Sequence, residues 1–68
     1  MNEEAFNLSM RKLLKHFGVT AQREIEKAVD EAIKGGRLRG TESLPARITL
    51  QVEGLTPDVQ VEGRITLA

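Results

Sequence analysis

Few residues of this 68-residue chain are of the types that perform chemistry, and their spacing joins none of them into a site. His16 is the single histidine and there is no cysteine. A metal site needs several convergent ligands, so His16 reads as a helix-edge side chain beside Lys12 and Lys15. Glu3 with Glu4, and Glu24 with Glu26, would serve acid–base work only if burial or proximity split their proton affinities. At a helix start and on outward helical positions they read as solvated charge. Ser9 and Ser43 have no base at a suggestive spacing, and no acidic run has the spacing of a calcium loop. The glycines of GGRLRG, residues 35–40, lack the preceding strand and following helix of a phosphate-binding loop and read as a helix stop. The expectation is a non-enzyme that takes no cofactor and no metal.

The side chains left with binding potential are basic: Arg11, Lys12, Lys15, Arg23, Arg37 and Arg39. They would make a nucleic-acid-binding patch if FGVTAQREIEKAV, residues 17–29, were the turn and second helix of a helix-turn-helix, with a following hairpin as its wing. The chain departs from that motif. Leu14 stands where a small residue is usual, four positions before Gly18, and Glu24 stands where an apolar one is usual, six after it. The second helix would turn Glu24, Glu26, Asp30 and Glu31 towards phosphates. Ten Lys and Arg balance ten Asp and Glu, whereas phosphate neutralisation favours a basic excess. Nucleic acid is therefore the alternative partner. The leading expectation is a small protein-interaction module that pairs with itself as a homodimer or docks on another protein, with Leu8 and Leu55 enlarging its exposed apolar surface.

Hydrophobic period supplies the elements that would position these groups. Phe6, Met10, Leu13, Leu14 and Phe17 recur at helical spacing, which predicts a helix from about Asn2 or Glu3 to Phe17, closed by Gly18. Thr20 is a good N-cap, and Ala21, Ile25, Ala28, Val29, Ala32 and Ile33 predict a second helix to about Lys34, ended by Gly35 and Gly36. The polar stretch Arg37–Ser43 crosses the surface with Leu38 as its anchor, and residues 37–40 could add a short edge strand. After Pro45 the period becomes that of a strand. RITLQVEG (47–54) and QVEGRITL (60–67) carry the same blocks in swapped order, as an antiparallel pair would. The expected register sets Ile48 opposite Ile65, Leu50 opposite Gly63 and Val52 opposite Val61, with Thr56-Pro57-Asp58 turning the chain. Gly63 reads as a bulge or a close approach, and neither strand carries an interior proline. The fold class is α+β, a single small domain of two helices packed on one face of a hairpin.

A chain of this length buries only a marginal core, which favours self-association. No disulfide can staple the fold. The acidic opening MNEEAFN lacks a signal-peptide pattern, and no apolar run has membrane-spanning length; the expected setting is cytoplasmic, with no membrane partner. MNEEAFNLSMRKLLKHFGVTAQREIEKAV and LPARITLQVEG together resemble a family of short uncharacterised bacterial proteins classed as a domain of unknown function. The resemblance implies a stand-alone bacterial cytoplasmic protein, and brings no activity and no site residues.

Overall fold

The computed structural model describes residues 1–55 and 57–68. In chain order come α1 (Glu3–Lys34), β1 (Ser43–Leu50) and β2 (Val59–Thr66). They fall into two units, Met1–Arg37 and Leu38–Ala68. The class is α+β, built from one long helix rather than two.

Both ends of α1 are closed by local chemistry. Asn2 sits in extended conformation, φ −88° and ψ 105°, and its Oδ1 accepts the Ala5 N–H at 3.0 Å. Glu3 and Glu4 place negative charge on the first turn, where the exposed N–H groups are electropositive. At the other end Gly36 takes φ +79°. Its N–H reaches the Ile33 carbonyl at 3.1 Å, and the Arg37 N–H reaches the Ala32 carbonyl at 2.8 Å. That pair of bonds is the Schellman closure, which needs a left-handed residue and so favours glycine.

The expected break at Gly18 does not occur: residues 17–29 are continuous helix. A glycine ends a helix when it turns left-handed, and the glycines with positive φ are Gly36, Gly40 and Gly54. Inside a helix a glycine costs only about 1 kcal/mol relative to alanine, and no proline follows to prevent continuation. Thr20 is therefore an interior residue rather than a cap, and His16 lies mid-helix rather than at a negative helix end. The turn on which the helix-turn-helix resemblance depended is absent from α1.

The two strands form an antiparallel sheet with Ser43 opposite Thr66, Ile48 opposite Val61 and Leu50 opposite Val59. The expected register is corrected: Ile48 faces Val61 instead of Ile65, and Val52 lies beyond β1. An even shift keeps each side chain on its face, so the apolar pattern alone does not distinguish the two registers. The turn does. Leu55 N–H bonds the Val52 carbonyl at 3.0 Å, and Gly54 holds φ +82°, as the third residue of a type II turn requires. The chain therefore begins to turn at Val52, and Gln51 Nε2 spans the loop to Asp58 Oδ2 at 2.9 Å. The expected turn at Thr56-Pro57-Asp58 falls in part on Thr56, outside the described residues.

β1 starts earlier than expected and contains Pro45. Leu67 N–H bonds the Glu42 carbonyl at 2.8 Å, which makes residues of Glu42's parity the hydrogen-bonded pairs. Pro45 falls on the other parity, so its missing N–H removes nothing from the ladder and instead blunts the free edge of β1. Gly63 is no bulge; it pairs directly with Ala46, and a Cβ there would meet only open space. Residues 37–40 form no third strand: the Arg37 N–H goes to the Ala32 carbonyl, and the Arg39 and Gly40 N–H groups go to the Glu42 carboxylate.

The two helix glycines should respond oppositely to alanine. Gly18→Ala, at a right-handed position with nothing within 4 Å of a Cβ, should stabilise α1 by about 0.5–1 kcal/mol. Gly36→Ala, at φ +79°, should cost about 1 kcal/mol. Thermal unfolding followed by circular dichroism measures both, and equal shifts of the same sign would contradict the assigned helix end.

Candidate interaction surface

Because α1 does not break, its two apolar stripes join into one. Phe6, Met10, Leu14, Phe17, Ala21, Ile25, Ala28 and Ala32 follow one another at steps of four, four and three. That is an 11-residue repeat, which keeps the row close to one line along a helix of 3.6 residues per turn. Leu13 and Val29 widen it. The opposite face mixes Lys12, Lys15, Arg23 and Lys27 with Glu26 and Asp30. Among the described residues none is buried. Phe6 is 49% exposed, Phe17 46% and Leu14 54%.

The hairpin is equally one-sided. Leu44, Ala46, Ile48 and Leu50 lie on the same face as Ile65, Gly63, Val61 and Val59. The reverse face pairs Ser43, Pro45, Arg47 and Thr49 with Thr66, Arg64, Glu62 and Gln60. Arg64 Nε donates to Ser43 Oγ at 2.8 Å and its Nη2 to the Ser43 carbonyl at 2.9 Å. Arg47 lies 3.6 Å from Glu62. Pro45, Ala46, Arg47, Glu62, Gly63 and Arg64 frame an open depression over Gly63.

Of the polar groups considered for chemistry, Ser9, Ser43 and Glu26 are engaged by the backbone or by neighbouring side chains. Ser9 Oγ donates to the Phe6 carbonyl at 3.0 Å, and Gln22 Nε2 donates to Glu26 at 3.0 Å. Lys34 pairs with Asp30 at 2.9 Å, and the Asp30 hydrogen bond holds its amine above the usual lysine range. Sequence reasoning passed over Glu42. Its carboxylate accepts the N–H groups of Arg39, Gly40 and Thr41 at 2.9 to 3.2 Å. The Arg39 N–H is the main cause of a carboxyl held below the ordinary range; partial desolvation opposes it, and the N–H groups of Glu42, Gly40 and Thr41 add to it. Gly40, at φ +99°, makes that cradle; a glycine two residues before an acid was the available signal. The carboxylate fills its own nest, so this turn is a structural clasp.

The six basic residues considered for nucleic acid are spread over several elements. Arg11, Lys12 and Lys15 lie within a single turn or so of α1, and Arg23 is two turns further on. Arg37 follows the Schellman closure, and Arg39 belongs to the Glu42 turn. Leu8 is 56% exposed on α1 and Leu55 is 65% exposed in the hairpin turn. Among the described residues no group of three or more His, Asp or Glu is placed to hold a metal ion. No described helix is long and apolar enough to cross a membrane.

Over residues 1–68 the chain matches the family described as "Family of unknown function (DUF6494)", and it belongs to that family. No curated protein and no solved structure matches it.

The Glu42 clasp has a pH signature. A carboxyl whose folded pKa is depressed contributes stability above its unfolded pKa and loses it as pH falls through the folded one. On acidification the amide resonances of Arg39, Gly40 and Thr41 should therefore move together, at a pH below the ordinary glutamate range. Glu42→Gln should abolish that step and leave the α1 amides unmoved.

Proposed function

We propose that this DUF6494 protein is a non-catalytic interaction module whose apolar faces are completed by another protein surface, its own copy included. One observation carries the reading. A 32-residue helix presents an uninterrupted apolar row that it cannot bury against itself, and all the large side chains of that row are substantially exposed. Contiguous apolar surface rimmed by charge is the usual signature of a protein-binding face. Helices gain most of their stability in proteins from packing such a face. The apolar side of the hairpin has the same need, since an isolated two-stranded hairpin is marginal in water. The missing turn at Gly18 removes the observation that favoured a winged-helix nucleic-acid binder, and the mixed charges opposite the stripe give phosphate no basic track.

Association that completes a fold makes stability depend on concentration. The thermal midpoint should rise as protein concentration rises, and sedimentation equilibrium should show mass above that of a 7.5 kDa chain. Duplex DNA at physiological salt should leave the resonances of Arg11, Lys15, Arg23 and Arg37 unshifted. A saturable, salt-sensitive shift of those signals would reinstate nucleic acid as the partner.

A further inference from the structure

Resting on the interaction reading above, we infer that the surface covering α1 is α1 of a second copy, laid antiparallel about a two-fold axis at the level of Val19. Length is the first reason. From Phe6 to Ala32 the stripe runs about 40 Å at the rise of an α-helix. The eight-residue strands span only about 24 Å, so the face of a hairpin leaves part of the stripe bare. A helix of equal length does not.

Size is the second reason. Apart from Ile25, the bulky members of the row lie in the N-terminal half of α1, and its alanines lie in the C-terminal half. In an antiparallel pair, residues whose numbers add to the same total lie at the same level. One register, centred on Val19, brings Phe6 level with Ala32, Met10 with Ala28 and Phe17 with Ala21. Each of these three layers then holds one large and one small side chain and allows close packing, while Leu13 falls level with Ile25 and Leu14 with Glu24. A parallel pair would stack phenylalanine on phenylalanine at one end and alanine on alanine at the other. The helices would be pushed apart at the first and left with voids at the second.

The contact is isologous, as a two-fold dimer requires.

The full chain carries no cysteine, so single spin labels can be placed cleanly. Glu4→Cys and Arg23→Cys put the label outside the stripe. Double electron–electron resonance on the antiparallel dimer should give about 45 Å between the Glu4→Cys labels. The Arg23→Cys labels should lie less than about 25 Å apart. A dimer with both pairs close is parallel, which overturns the inference and leaves self-association standing. A size swap gives a second readout. Ala28→Met alone should weaken dimerisation about tenfold or more, and Met10→Ala in the same chain should restore it; absence of rescue contradicts the register.

A monomer at every concentration also overturns the inference, and hydrogen exchange on that monomer separates the two failures. Protected α1 amides would mean that the stripe is satisfied without a partner, and the interaction reading falls with it. Unprotected α1 amides leave that reading intact, with a different protein as the occupant.

Discussion

One apolar row on one long helix governs this protein. A helix satisfies its own backbone hydrogen bonds but cannot cover its own side chains, so its apolar face is a demand placed on something else. The local terms in α1 are favourable and small. The Asn2 cap contributes about 1 kcal/mol. The acidic first turn and the Asp30–Lys34 pair each add some tenths of a kcal/mol. Ordering the backbone costs about 1–2 kcal/mol per residue. Caps and ion pairs fix where α1 begins and ends; burial of Phe6, Met10, Leu14, Phe17 and their followers decides whether it persists.

Continuity through Gly18 gives that row its length. Had the helix ended there, the phenylalanine-bearing segment and the alanine-bearing segment would be separate short amphipathic pieces, free to face different directions. Unbroken, they share one line, and the 11-residue recurrence carries it from Phe6 to Ala32. A lone glycine is a modest expense in such a helix. The alanines add a further consequence, since Ala21, Ala28 and Ala32 allow a neighbouring backbone to approach closely only over the C-terminal half of the stripe. The face is therefore polarised along its axis as well as around it.

The apolar residues, their periods and the α-to-β order were legible in the sequence because each depends on local spacing. Two decisions were not local. Gly18 reads as a stop when only the residues before it are weighed, since Lys15 and His16 suit a helix end; what matters is whether the backbone turns left-handed, and side-chain type leaves that open for glycine. The hairpin register was similarly underdetermined. The expected and observed pairings differ by an even shift, and alternation is blind to even shifts. Gly54 held the deciding information as a turn former, while the recurrence of RITL and QVEG drew attention to the wrong alignment. Pro45 was misread for a different reason. In a two-stranded sheet each strand has a free side, and a proline whose missing N–H lies on that side costs the ladder nothing.

Charge distribution supports the proposed protein-facing reading over a phosphate-facing one. The formal net charge is zero, with ten cationic and ten anionic side chains, so two copies approach without long-range repulsion. The same balance leaves no overall basic excess for a polyanion, so nucleic-acid binding would need a local basic patch. On α1 Lys12, Lys15, Arg23, Glu26 and Asp30 sit away from the stripe in both signs, where they keep the helix solvated without selecting a partner by field, and Glu24 borders it. Selection is then left to shape, and the shape available is a row that is bulky at one end and small at the other. On the hairpin, Arg47 opposite Glu62 and Arg64 clasping Ser43 hold the polar face, while Pro45 blunts the free edge of β1. Indiscriminate strand addition is discouraged there, which leaves the apolar faces, rather than the strand edges, as the places where a partner gains most.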